Sequence, residues 1–128
     1  MFEMEEMVMA KTVKLQCNEK RMPLSEVADA VSLGVATAKV VCRTQQIDGN
    51  AILLCFEKYF FRNNGFASLT VMLTEDENRQ DATIVGFGGG SGILNFSYGA
   101  NDEFAEDASG ALKKCGFEVL PEDVNTTT

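Results

Sequence analysis

Two tight-turn signals constrain this chain more than any other feature. Asp48-Gly49-Asn50 and Asn63-Asn64-Gly65 punctuate residues 37–74, a stretch dense in β-branched, aliphatic and aromatic side chains. Asparagine, aspartate and glycine accept the positive φ that primed hairpin turns demand. Ala38 to Ile47, Ala51 to Phe61 and Phe66 to Thr74 therefore read as three consecutive strands. The third alternates clearly, with Leu69, Val71 and Leu73 on one face and Ser68, Thr70, Met72 and Thr74 on the other. Glu75 to Asp81 reads as a solvated loop, and Ala82 to Phe87 as the fourth strand of an antiparallel meander.

The flanks add one helix on each side. Residues 12–17 alternate, with Val13, Leu15 and Cys17 on one face, and form a half-buried strand. After a polar turn from Asn18 to Arg21, Pro23 and Ser25 open a helix, with Ser25 as the expected N-cap and Glu26 near the positive end of the dipole. Leu24, Val27, Ala28, Val31 and Val35 share one face, and Gly34 is expected to end the helix. Beyond the fourth strand, Gly88 to Gly92 interrupts the pattern and Ile93 to Tyr98 resumes it. Asn101 is expected to cap a late helix striped by Phe104, Ala108, Ala111, Leu112 and Cys115, with Gly116 at C′. Phe117 to Leu120 suggests a last short strand.

The resulting order predicts an α+β fold: an antiparallel β-meander of about five to six strands with one early and one late helix packed on one face. A half-closed barrel around a helix is the alternative. At 128 residues with no linker or repeat, the chain reads as one domain, with residues 1–9 frayed and 121–128 a polar tail.

Composition removes several classes of function. Histidine is absent, which excludes Ser-His and Cys-His catalysis and His-ligated metals. Eleven basic residues against nineteen acidic ones make the formal charge −8, which argues against nucleic acid and anionic membrane surfaces. No window approaches the ~20 apolar residues of a membrane span. The acidic start, Met1 to Met7, lacks the basic flank of a signal peptide, so a cytoplasmic location is expected. The acidic clusters at 75–81 and 102–107 lack the spacing of a calcium loop.

Cysteines at 17, 42, 55 and 115 contain no Cys-x-x-Cys pair and read as small buried hydrophobes with free thiols. A two-residue Asp48-Gly49 hairpin nonetheless sets positions summing to 97 opposite each other, which brings Cys42 against Cys55.

Two constellations carry the candidate chemistry. The run Gly86-Phe87-Gly88-Gly89-Gly90-Ser91-Gly92 fails the dinucleotide, Walker and nucleophile-elbow patterns, because Ser91, Ile93 and the missing lysine break them. It can still form a nest of backbone N–H groups for an anion, or a simple glycine corner between strands. The second is Phe56-Glu57-Lys58-Tyr59-Phe60-Phe61, in which a charged residue interrupts either strand face. Depending on the turn at Asn64-Gly65, Lys58 or Glu57 faces Val71. Either Glu57, Lys58 and Tyr59 line a pocket, or an ion pair with Arg43 across the hairpin neutralises the charge. The candidate ligand-binding set is therefore Gly88, Gly89, Gly90, Ser91, Lys58, Arg43, Glu57 and Tyr59, with no catalytic residue, no metal and no cofactor.

Phe56-Glu57-Lys58-Tyr59, Gly86 with Gly88 to Ser91, and Gly99 to Phe104 ahead of the last helix together resemble a family of small bacterial proteins of unknown function. The similarity covers roughly residues 12–118 and implies a bacterial cytoplasmic domain with an early helix and a meander. It implies no activity. The expectation is a non-enzymatic binding or interaction domain, a homodimer, with Phe60, Phe61 and Phe66 supplying apolar surface. The alternative is a small-molecule pocket or enzyme holding an anionic ligand at Gly86–Gly92.

Overall fold

The structure, a computed structural model, describes residues 10–35, 38–60, 65–89 and 105–121. Strand β1 (Ala10–Cys17) leads into helix α1 (Leu24–Gly34). Strands β2 (Lys39–Gln45), β3 (Ala51–Phe60), β4 (Gly65–Glu75) and β5 (Gln80–Gly89) follow. A second helix, α2, covers residues 105–114, and β6 (Glu118–Val119) comes last. The six strands form one antiparallel sheet in the order β2-β3-β4-β5-β1-β6. Among the described residues β2 and β6 are the sheet's edges and do not pair with each other, so the sheet is not closed and the barrel alternative does not hold.

Alternation decides which residues face the helices. Ile52, Leu54 and Phe56 of β3, Ala67, Leu69, Val71 and Leu73 of β4, and Ala82 and Ile84 of β5 are all buried. They meet Leu24, Val27, Ala28 and Val31 of α1, and Ala105, Ala108 and Leu112 of α2, in one cluster. Each buried large aliphatic contributes about 1.5–3 kcal/mol relative to exposure. Both helices therefore cover the same side of the sheet, as the pattern predicts.

The Asp48-Gly49 hairpin has the expected register, with Cys42 the Cα partner of Cys55. Its loop is wider than two residues. Gln46 N–H donates to the Ala51 carbonyl at 3.0 Å, Gly49 N–H to the Gln46 carbonyl at 2.9 Å, and Gly49 carries φ 78°. Asp48 Oδ1 accepts from the Asn50 N–H at 3.0 Å and completes the turn. A bulge at Val41 shifts the register beyond Cys42.

The β3–β4 register differs from both expected alternatives. Phe60 pairs with Gly65, Lys58 with Ala67 and Leu54 with Val71. The ladder uses Gly65 as a strand residue, so the connection falls on positions 61–64, and neither Lys58 nor Glu57 opposes Val71. Strand β5 likewise runs through Gly88 and Gly89 instead of breaking at Gly88. The loop expected over 75–81 shrinks to 76–79, because Glu75 and Gln80 pair in the ladder.

Pro23, not Ser25, occupies the N-cap of α1, and no side chain caps that end. The Pro23 carbonyl accepts the N–H groups of Glu26 and Val27. Gly116 has φ 98°, the left-handed conformation expected at C′ of the late helix. The expected strand Ile93–Tyr98, the Asn101 cap and Phe104 lie outside the described residues.

Gly34 ends α1, and its role is contact. A Cβ placed there would stand 2.7 Å from the Ala111 Cβ of α2. Both atoms are fixed to backbone, so no rotamer change relieves the clash. Gly34→Ala is expected to destabilise the fold by about 1–3 kcal/mol despite alanine's better helix propensity. Adding Ala111→Gly should recover part of that loss, and urea denaturation of the two single variants and the double variant measures the coupling.

Candidate functional site

Among the described candidate residues, Arg43, Glu57 and Lys58 do not converge. Lys58 lies on the helix side of β3, half-buried, in register with Ala67, which in turn pairs with Gly88. Glu57 is exposed on the opposite face, with Lys39 and Ser68 as its Cα partners. In the backbone ladder Tyr59 pairs with Phe66 and Phe66 with Gly89, while Gly90 and Ser91 lie outside the described residues. Arg43 is committed elsewhere: its guanidinium donates to Asp29 Oδ1 at 2.7 Å and to the Ser25 carbonyl at 3.3 Å. This ties the edge strand β2 to α1 and replaces the expected ion pair across the hairpin. Strand parity separates Glu57 from Lys58, which no pocket lined by both can survive.

The face turned away from the helices is the more distinctive surface. Its rows run Thr44–Leu53–Met72–Thr83–Lys14 and Cys42–Cys55–Thr70–Val85–Thr12 across β2, β3, β4, β5 and β1. A third row places Lys39, Glu57, Ser68 and Phe87 together. Met72 remains 47% exposed and Phe87 43%, while Leu53, Cys55 and Val85 are half-buried. The charged positions are of both signs, Lys14 and Lys39 against Glu57, Asp81 and, on β6, Glu118. The five strands span on the order of 24 Å across and 24 Å along. Met72 is legible in the sequence as a member of the polar face of β4. Leu53 and Val85 belong to no sequence motif, although strict alternation from Leu54 and Ile84 is the signal that finds them, as it places Cys55 and Phe87 on this face.

An open groove of about 660 Å³ runs between the helices, bordered by Met22, Leu33, Asp107 and Lys114. Leu33 is 78% exposed at its rim. Among the described residues no group of three or more Cys, Asp or Glu side chains stands close enough to hold a metal ion.

Two polar anchors hold the end of the sheet beneath α1. Gln80 is fully buried and donates from Nε2 to the Met22 carbonyl at 3.0 Å and to Glu75 Oε1 at 2.9 Å. Asp76 closes the β4–β5 turn, its Oδ1 accepting the N–H groups of Asn78 at 2.8 Å and Arg79 at 2.9 Å. Lys20 Nζ donates to the Asp76 carbonyl at 2.6 Å, joining this turn to the β1–α1 connection.

Among the described residues the arrangement is a helix-backed antiparallel sheet whose other face carries no helix, and that is the class it defines. The chain belongs to the family of unknown function DUF6054, whose model matches residues 9–116. No curated protein matches it closely enough to count as a relative. Among solved structures it is similar to the crystal structure of LpqN, a protein involved in cell envelope biogenesis of Mycobacterium tuberculosis. That likeness has a TM-score of 0.40 at 8% identity over 88% of this chain. The chain spans 64% of the LpqN chain's length. No helix among the described residues is long and apolar enough to cross a membrane.

The two backbone N–H bonds to Asp76, Asn78's first and then Arg79's, lower its carboxyl below the usual value. A group depressed in the folded state contributes stability above its unfolded pKa and loses it as pH falls through the folded pKa. Asp76→Asn should therefore lower the denaturation midpoint at neutral pH and change little in strong acid. Urea titrations of both proteins at the two pH values check this.

Proposed function

We propose that this chain is a non-enzymatic interaction domain whose contact surface is the open sheet face and whose partner is a second copy of itself. The observation that carries this is the apolar centre Leu53, Met72, Val85 and Phe87, flanked by charges of both signs. Lys14 and Lys39 stand against Glu57, Asp81 and, on β6, Glu118, so the face carries both signs on a chain of net charge −8. A mixed-sign border can be self-complementary under a two-fold axis, where each patch meets its own copy. Its projected area, on the order of 600 Å², approaches the ~800 Å² per partner of a specific interface. The reading takes the chain as one domain. Four cysteines with no disulfide among them fit the reducing, cytoplasmic setting expected above.

Light scattering on the full chain is expected to show a dimer. Met72→Glu, which places a charge at the centre twice per dimer, should weaken association by roughly 100-fold or more while leaving the circular dichroism spectrum unchanged. A wild-type chain that stays monomeric at the highest soluble concentration removes the reading.

A second reading has one observation of its own. Lys58 and Gly88 share a row on the helix side, on either flank of Ala67. This supports a small anionic ligand held by the Gly86–Gly92 segment with Lys58 compensating its charge, without Arg43 or Glu57. In a thermal-shift panel of phosphates, nucleotides and carboxylates, a ligand of this site should raise Tm by several degrees, and Lys58→Ala should abolish the rise. A flat panel ends this reading and leaves the first untouched.

A further inference from the structure

The four cysteines fall into two pairs of opposite character. Cys17 and Cys115 are buried, and the Cys17 thiol donates to the Glu19 carbonyl at 3.0 Å. Burial pushes the Cys115 thiol above its ordinary value, and the neighbouring Cys17 adds to the shift. Cys42 is exposed and Cys55 half-exposed, on the face away from the helices. They are direct Cα partners in the β2–β3 ladder.

The distance follows from the ladder. Gln46 and Ala51 form a hydrogen-bonded pair, and pairs of that kind recur at every second position along an antiparallel ladder. Cys42 and Cys55 stand four positions further along an unshifted register, so they are such a pair, with Cα atoms about 5.5 Å apart. That lies within the roughly 4.4–6.8 Å that disulfides span. The register break at Val41 sits immediately beside Cys42. An edge strand already bulged there has the slack to bring the two sulfurs together.

We propose that Cys42 and Cys55 are a reversible oxidation site, a cross-strand dithiol that closes to a disulfide when the chain meets a peroxide. The Cys42 thiolate attacks one peroxide oxygen; an S–O bond forms, the O–O bond breaks, and the departing hydroxide takes a proton to become water. The Cys55 thiolate then attacks the Cys42 sulfur; an S–S bond forms, the S–O bond breaks, and the second oxygen leaves as water. Two thiols and one hydrogen peroxide become one disulfide and two waters, the sulfurs losing two electrons that the peroxide gains. A small thiol of the glutathione class reverses the step by exchange, to which an exposed bond at a sheet edge is open. Cys17 and Cys115, buried away from solvent, stay out of the reaction. The pair lies in a row of the open face proposed above as the dimer contact, so the reaction belongs to the dissociated chain and the test is run at a concentration where the chain is monomeric.

The test treats the full-length chain with hydrogen peroxide under native conditions. Free thiols are then alkylated after unfolding, and the digest is mapped by mass spectrometry. A peptide pair linking Cys42 to Cys55 with the loss of two hydrogens is expected, together with a fall in titratable thiols from the four present to the two buried ones. Dithiothreitol should restore all four. In Cys55→Ser, oxidation of Cys42 should stop at a sulfenic acid trapped by dimedone. Linkages to Cys17 or Cys115, intermolecular disulfides as the main product, or no oxidation at all would overturn the proposal. So would a Cys55→Ser product identical to the wild type's. Thermal melts of the serine variants separate a lost bond from a lost fold.

Discussion

The strand register through β3, β4 and β5 is the constraint on which the rest of the structure depends. It builds three consecutive rows on the helix side: Phe56–Leu69–Gly86, Leu54–Val71–Ile84 and Ile52–Leu73–Ala82. Phe56, the largest fully buried side chain, shares its row with a glycine, so volume is matched across the sheet and not within each pair. A slip of one residue would exchange these rows with Leu53, Cys55, Thr70, Met72 and Thr83, and no helix stripe complements that set. The same parity sorts charge: Glu57 goes to the open face and Lys58 to the covered one.

Much of this order is legible in the residues alone, because it rests on period-two alternation and two strong turn signals. Asp48-Gly49 sets the β2–β3 register, down to the facing of Cys42 and Cys55. Asn64-Gly65 misleads by position. Turn propensity marks Gly65 as a corner residue, whereas the ladder opposes it to Phe60 and uses it as the first residue of β4. Parity survives the shift, since Lys58 still shares a face with Phe56, but the neighbours of every β3 residue change. Gly88 departs from expectation for a related reason: glycine usually interrupts strands, yet pairing with Ala67 carries β5 two residues further.

The illegible part is long-range by nature. Gly34 looks like a helix stop, and only the approach of α2 turns it into a contact point where Ala111 leaves no room for a methyl group. Gln80 sits in a run of polar residues that composition assigns to solvent, yet it is fully buried because the Met22 carbonyl and Glu75 are there to receive its amide. Arg43 is the clearest case among the candidate site residues. Across the hairpin it has no acid on its own face, because its register partner is Leu54, and the carboxylate it finds belongs to α1. No local pattern contains that partner.

These placements bear on what the chain is for. An edge strand invites pairing with other chains, and natural sheets blunt it with charge, bulges or cover. Strand β2 carries Lys39 and Arg43, a bulge at Val41 and a tether to α1, so its edge is defended on three counts. Among the described residues the broad face has no bulge or helix tether, and methionine and phenylalanine remain nearly half exposed at its centre and end. The contrast between a guarded edge and this face is what places the proposed contact on the face. The same alternation that leaves Met72 exposed also presents Cys42 and Cys55 to solvent, while their buried counterparts Cys17 and Cys115 lie on the helix side. Strand parity thus separates Cys55, and Cys42 opposite it, from Cys17, while Cys115 is buried at the end of α2.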